Sequence, residues 1–204
     1  MPLQRRYCAP RHCAGFTLIE ILVSLLLLSF GLLGMVALQA GALQGHRESR
    51  LQVLAIRFAT ELAERMQSNQ AVAMQSSAAA NPYLVDGFSG AAPASSVDCT
   101  LSGGCSPIDV ARWDIAEWLA RLVDTANGGL PGARATVCFD EAPYDIDGRP
   151  RWDCTHSGGI VQIKLGWRRG GTDRSRKSSD AVEDPGARDS RPLVSMPAAL
   201  GVPS

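Results

Sequence analysis

The stretch that decides the fold is GFTLIEILVSLLLLSFGLLGMVALQAGALQG, residues 15–45. Between Glu20 and His46 it carries 25 consecutive uncharged residues. In a helix these residues rise about 37 Å, which exceeds the hydrocarbon thickness of a bilayer, about 30 Å. The stretch therefore predicts a helix that spans a membrane.

Two ordinary explanations of this segment stay open on composition. A secretory signal has a shorter apolar region, but Ala37, Ala40 and Ala42 could imitate the small residues of its cleavage site. A plain signal anchor is the second explanation. Neither accounts for Glu20, because an ionised carboxylate in a membrane helix is costly and usually has a partner.

The residues before the apolar run are basic. Residues 1–15 contain Arg5, Arg6 and Arg11 and no acidic residue. Under the positive-inside rule such a flank stays in the cytoplasm, so the chain after the span lies on the opposite side.

The junction between leader and span resembles a known signal. A short basic leader that ends in Gly15, followed by FTLIE (16–20) and an apolar helix, is similar to the class III signal of type IV pilins and type II secretion pseudopilins. The resemblance implies cleavage between Gly15 and Phe16 by a prepilin peptidase, which also N-methylates Phe16. It further implies that Glu20 pairs with the α-ammonium of a neighbouring subunit during assembly.

A second resemblance narrows the family. The run GLLGMVALQ (31–39) resembles the PilV-type minor pilins, the type IV pilus modification proteins. The head pattern from Ala111 to Trp167 is similar to the same group, though more loosely. Together the two resemblances cover residues 15–167.

Beyond the span the sequence predicts a small soluble head. Leu51, Leu54, Phe58, Leu62 and Met66 recur at helical spacing, which predicts that the first helix continues with one buried face. The stretch 73–83 is expected to end it, with Pro82 as the stop. Residues 84–106 are predicted to form a loop.

The second half of the head predicts one helix and two strands. Ser106, Pro107 and Asp109 form a helix start, and the glycines at 128–129 form its stop. Segments 134–140 and 160–167 have strand patterns, and the alternation in the second predicts one buried and one solvated sheet face.

These elements predict an α+β fold of the pilin type, a long N-terminal helix packed on a small antiparallel sheet. The expected organisation has four parts. They are the leader peptide (1–15), the transmembrane and polymerisation helix (16–45), the periplasmic head (46–167) and a disordered C-terminal tail (168–204).

Cysteine use fits an oxidising compartment. Cleavage after Gly15 leaves four cysteines, which allow three pairings. The local pairing, Cys99 with Cys105 and Cys138 with Cys154, is the favoured prediction. The second bridge would tie the two sides of the connection between the strands.

No metal site or catalytic site is predicted. Cys138, Cys154 and His156 could offer zinc ligands, but C-x-x-C spacing and a second nearby histidine are absent. The acidic segment 140–148 contains D-x-D-G but lacks the later glutamate of a calcium loop. Nucleophile-elbow, Walker and H-E-x-x-H motifs are also absent from the sequence.

The expected function follows from the resemblance. With 20 basic and 20 acidic residues, the formal net charge of zero argues against a nucleic-acid partner. The resemblance implies a minor pilin that primes type IV pilus assembly at or near the tip. It would be neither an enzyme nor a cofactor protein. Its implied partners are prepilin peptidase, other minor pilins, the major pilin and the assembly platform.

The implied location is the bacterial inner membrane, crossed once with the head in the periplasm, and then a cell-surface pilus. A minor pseudopilin of a type II secretion system is the alternative within the family. A periplasmic enzyme or adhesin on a membrane anchor is the alternative of another class.

Overall fold

The computed structural model describes residues 16–94, 97–100, 104–169 and 191–200. It confirms the α+β architecture, with a long N-terminal helix and a four-stranded antiparallel sheet. In chain order the elements are α1 (Leu18–Ser68), α2 (Gln70–Ala73), β1 (Val85–Ser89), α3 (Pro107–Val123), a 3₁₀ turn (Thr125–Asn127), β2 (Arg134–Phe139), β3 (Val161–Gly166) and β4 (Val194–Ala198).

The chain forms two compact units, one up to His46 and one from Arg47 onward. In the first unit every side chain from Phe16 to Leu43 is exposed, although most of them are apolar. Among the described residues α1 is the one helix long and apolar enough to cross a membrane.

The core of the second unit is formed by α1, α3 and one face of the sheet. Phe58, Leu62 and Met66 of the predicted stripe are buried, whereas Leu51 and Leu54 are half-buried. The predicted apolar face of α3 is also buried, and its members are Ala111, Ile115, Trp118, Leu119 and Leu122. The indole of Trp118 donates to the Phe58 carbonyl at 2.9 Å, which satisfies the one polar atom in this contact.

The end of the first helix differs from the prediction. α1 ends at Ser68 and α2 at Ala73, well before Pro82. The carboxamide of Asn81 donates to the carbonyls of Ala73 and Gln75, both at 2.9 Å. Because these carbonyls have no partner in a continuing helix, a side-chain donor stabilises the earlier ending.

The predicted start of α3 is confirmed, but the helix ends at Val123, before the predicted glycine stop. Ser106 is the N-cap, and its hydroxyl accepts from the Asp109 amide at 3.3 Å and donates to the Asp109 carboxylate at 2.6 Å. After the 3₁₀ turn, Gly128 has a φ of 94°, a left-handed conformation that favours glycine.

The sheet follows chain order, β1-β2-β3-β4, and all neighbours are antiparallel. The two predicted strands, β2 and β3, pair without interruption from Arg134 opposite Gly166 to Phe139 opposite Val161.

Two strands were not predicted. β1 lies in the segment 84–106 that we expected to be a loop, and its register is interrupted by a bulge near Gly87, which has a φ of 61°. β4 lies in the predicted tail 168–204, so the expectation of disorder is wrong for that strand. Pro197 made β4 hard to predict, because proline is rare in strands and is confined mainly to edge strands. The rest of the predicted tail, 170–190 and 201–204, lies outside the described residues.

The expectation of a solvated sheet face is also wrong. Gln162, Lys164 and Gly166 are buried along with the apolar residues between them, so β3 is buried on both faces. The connection between β2 and β3, residues 140–160, folds back over the outer face of the sheet, where Asp140 and Asp153 contact Lys164 and Trp152 lies against Gly166.

Candidate processing and assembly site

The start of α1 carries the predicted processing site. Phe16 and Thr17 precede the helix, which begins at Leu18, and Phe16 is 85% exposed. Gly15, the other side of the predicted cleavage bond, lies outside the described residues. The described half of the bond is therefore in exposed, non-helical chain.

Glu20 and Thr17 cap the helix reciprocally. The Glu20 carboxylate accepts from the Thr17 amide at 2.9 Å and from the Thr17 hydroxyl at 3.0 Å. The Glu20 amide donates back to that hydroxyl at 3.4 Å. This is a capping box, in which the side chains of the first and fourth residues satisfy each other's free amides.

The role of Thr17 was missed from the sequence. Its signal was present, since T-L-I-E fits the S/T-x-x-E pattern that begins many helices. The structure does not test the predicted pairing of Glu20 with an α-ammonium. It places the carboxylate at the helix start, hydrogen-bonded to Thr17, which is the residue after Phe16.

The two serines of the apolar run have hydrogen-bonded hydroxyls. The hydroxyls of Ser24 and Ser29 donate to the carbonyls of Ile21 and Leu26, at 2.9 and 2.8 Å. A hydroxyl without a partner is costly in lipid, and these bonds remove that cost. A side chain added at Gly31 or at the other three glycines of the run would meet no atom of the chain within 4 Å.

The four head cysteines lie in the favoured local arrangement. Cys99 is bonded to Cys105, with 5.7 Å between Cα atoms, and Cys138 to Cys154, with 6.4 Å. Cys138 is in β2 and Cys154 in the covering connection, so this bridge fastens the cover to the sheet. Formation of both bridges in a periplasm stays a prediction.

A buried ion pair lies beside the second bridge. The Lys164 ammonium contacts the Asp140 carboxylate at 2.6 Å, and both side chains are fully buried. The ammonium also donates to the Asp153 carbonyl at 2.9 Å. Burial would raise the pKa of Asp140, but the hydrogen bond from Lys164 and the amides of Ala142 and Thr155 outweigh burial and lower it.

Trp152 completes the cover over the sheet. Its ring lies against Gly166, where an added Cβ would be 2.8 Å from the ring carbon Cζ2. The Arg134 guanidinium lies 4.3 Å from the centre of the same ring. Gly166 thus leaves room for the Trp152 ring, and Arg134 holds the ring over the sheet.

The candidate metal ligands are engaged otherwise. Cys138, Asp140 and Cys154 offer ligand atoms within 4.8 Å of one another, but the two sulfurs are joined and Lys164 holds the carboxylate. Thiolates are needed for zinc, so this group does not fit a metal in its oxidised form. The Asp145 carboxylate accepts from backbone amides of its own turn and pairs with Arg191.

A known family matches around the processing site. The family described as Prokaryotic N-terminal methylation motif matches residues 10–36, which include the Gly15–Phe16 bond and Glu20. Comparisons with curated proteins and with solved structures give no significant match. The motif supports a type IV pilin-like protein, a pilin or a pseudopilin, and implies processing by a prepilin peptidase and assembly with other pilins.

Proposed function

We propose that this chain is a minor pilin of the PilV type, which primes type IV pilus assembly and carries no enzymatic activity. The observation that carries the proposal is the methylation motif at residues 10–36, which includes the start of an apolar helix whose side chains from Phe16 to Leu43 no other described residue covers. A head closed by two disulfides is suited to the oxidising periplasm in which such a subunit would wait.

In this proposal the chain crosses the inner membrane once, with the head in the periplasm. Prepilin peptidase cuts between Gly15 and Phe16, methylates Phe16, and leaves a charged amine beside the Glu20 carboxylate. The helix then moves from lipid into a bundle of similar helices. The exposed glycines of the span favour this step, because small residues allow close helix approach.

The test is the identity of the first residue of the mature chain. The full chain is produced with an active prepilin peptidase, and mass spectrometry of the membrane fraction is expected to find N-methylated Phe16 as the first residue. Gly15→Val is expected to block the cut. Gly45→Val is the matched control, since a side chain at Gly45 meets no atom within 4 Å, and it should be processed normally.

Two results would contradict the proposal. The first is a membrane-bound chain that still begins at its leader, and the second is cleavage after Ala40 or Ala42, as by a conventional signal peptidase. Pilus and pseudopilus are then distinguished by location. A minor pilin is recovered in sheared surface fibres. If cells that lack the chain lose protein secretion but keep intact fibres, the chain is a type II secretion pseudopilin.

A further inference from the structure

A groove of about 730 Å³ runs along the second unit, between α1 and the turn that follows α3. One wall is α1 from Arg47 to Arg57, and the other is residues 125–129. Val53 and Leu54 give the α1 wall an apolar part, and Val53 is 54% exposed.

The charge of this groove has one sign. Arg47, Arg50 and Arg57 line it, and its lining residues include no aspartate or glutamate. Within the described part of the chain none of the three has an ion pair or a hydrogen-bonded side-chain partner. Three guanidinium groups in one groove therefore present donors for an anion.

The neighbouring acidic groups are already engaged. Glu48 pairs with Arg169 at 3.1 Å. Glu61 pairs with Arg65 at 2.9 Å and also with Arg121. Asp124, at the end of α3, accepts from the amides of the 3₁₀ turn and from Asn127. Glu48 and Glu61 are thus held by other arginines, and Asp124, whose hydrogen-bond donors are neutral, offsets one of the three positive charges, so the groove keeps a net positive charge.

The position of the arginines in the chain favours a lipid phosphate as the anion. Arg47 comes two residues and Arg50 five residues after Gly45, the last residue of the uncharged run, within the same helix. A span of about 37 Å fits a hydrocarbon core of about 30 Å when it is tilted, and Gly45 then lies at the hydrocarbon boundary. Five further helical residues rise at most about 7.5 Å, close to the thickness of one headgroup layer, about 5–7 Å. Long basic side chains at this depth reach the phosphate level.

We infer that the groove binds the phosphate of an anionic phospholipid, in the leaflet that faces the head. Guanidinium groups bind phosphate through two parallel hydrogen bonds, and Arg47 and Arg50 supply them. Val53 and Leu54 contact the glycerol end of the lipid. Arg57, two turns beyond Arg50, adds to the field that attracts the headgroup.

The inference rests on the proposed function in one respect, namely that residues 21–45 span a membrane. It adds a property that the motif does not supply. A subunit that holds an anionic lipid must release it before its helix enters a fibre, so the lipid opposes extraction from the membrane. An acidic protein surface is the competing occupant.

The experiment uses the full chain reconstituted in phosphatidylcholine vesicles that contain trace spin-labelled lipid. Electron spin resonance gives the fraction of labelled lipid immobilised by the protein, measured separately for phosphatidylglycerol and phosphatidylcholine. We expect a preference for phosphatidylglycerol of roughly fivefold for each arginine at headgroup level, which falls as salt is added.

The variant Arg47→Gln/Arg50→Gln is expected to lower this preference towards one. Arg112→Gln is the matched control, because Arg112 is exposed on α3, pairs with Asp109 and lies outside the groove. It should keep the preference of the unmodified chain. Equal immobilisation of both lipids, or an equal loss in the control, would overturn the inference.

Other outcomes separate the two proposals. A chain that inserts but shows no lipid preference overturns the lipid inference alone, whereas a chain that does not insert overturns the membrane anchor as well. If the double variant keeps its lipid preference but is lost from sheared fibres, the groove binds an acidic protein surface and the lipid inference is wrong.

Discussion

The apolar run and the sheet differ in which side chains are exposed: apolar ones in the run are exposed, and a charged one in the sheet is buried. From Phe16 to Leu43 the side chains are mostly apolar and all exposed, whereas the outer face of β3 carries Lys164 and is fully buried. None of the other residues that the structure describes covers the apolar run, whereas residues 140–160 cover the sheet. In the proposed function, lipid and then other subunits cover the apolar run, while the head keeps a cover of its own.

The largest expected effect concerns the role of the Glu20 carboxylate. If its charge is needed for assembly, Glu20→Gln is expected to remain in the membrane fraction and to be lost from fibres, as Glu20→Ala is. Gln still caps the helix, so this loss would come from the charge. Thr17→Ala, which keeps the charge and removes the reciprocal cap, should then still enter fibres.

The opposite pattern would contradict this role. Fibre incorporation by Glu20→Gln, with defects in Thr17→Ala and Glu20→Ala, would show that the helix start matters rather than the charge. The measurement is the ratio of each variant in sheared fibres to that in membranes, at matched expression.

The next effect concerns the buried pair in the head. Lys164→Met leaves the carboxylate of Asp140 buried without its cation, and we expect the free energy of unfolding to fall by about 3–5 kcal/mol. The double variant Lys164→Met/Asp140→Leu should regain part of this loss. Recovery is incomplete because the amides of Ala142 and Thr155 lose their acceptor.

Denaturant unfolding of the full chain in detergent, followed by tryptophan fluorescence, measures these changes. Arg112→Gln breaks an exposed pair with Asp109 and is the control, with little change expected. A Lys164→Met chain as stable as the unmodified one would show that the cover does not depend on this ion pair.

The two disulfides are expected to contribute different amounts to the free energy of unfolding. Replacing Cys138 and Cys154 by serine opens a loop of 16-residue separation and should cost about 3 kcal/mol, while the same change at Cys99 and Cys105, with a separation of 6, should cost about 2 kcal/mol. The first change should also expose the cover to protease, because it fastens residues 140–160 to the sheet.

Peptide mapping of the periplasmic protein under non-reducing conditions checks the pairing itself. Crossed pairs, or four free thiols, would contradict it. Equal protease sensitivity of the two double variants would show that the second bridge does not hold the cover in place.

The smallest effect concerns the fit between cover and sheet. Gly166→Ala places a methyl group against the ring of Trp152 and should lower the free energy of unfolding by about 1–3 kcal/mol. Gly159→Ala is the matched control, since its Cβ meets no atom within 4 Å. Equal stability of the two variants would mean that Trp152 moves aside without cost.

The elements that the sequence predicted well are those whose signals are local. The cap of α3 lies in four consecutive residues, and β2 and β3 have strong strand patterns, so their positions followed from short segments. The reciprocal contact of Thr17 with Glu20 was equally local and could have been predicted from the same pattern.

The missed features depend on distant partners. β4 contains Pro197 and becomes a strand only by pairing with β3, some thirty residues earlier. The alternation of apolar and polar residues in β3 predicts a solvated Lys164. Lys164 is buried instead, because Asp140 and the Asp153 carbonyl, both in the connection, lie over its ammonium. Alternation shows which residues share a face, but not whether another segment covers that face.

The order of the strands has a consequence for folding. Because each strand pairs with the one before it in the chain, the sheet grows at a single edge, and no strand has to insert between two others. If the head is translocated in chain order, as the proposed function requires, the strands emerge in this same order. β2, the connection and β3 lie within 33 residues, so their low contact order favours early folding, and β4 is added afterwards to the free edge of β3.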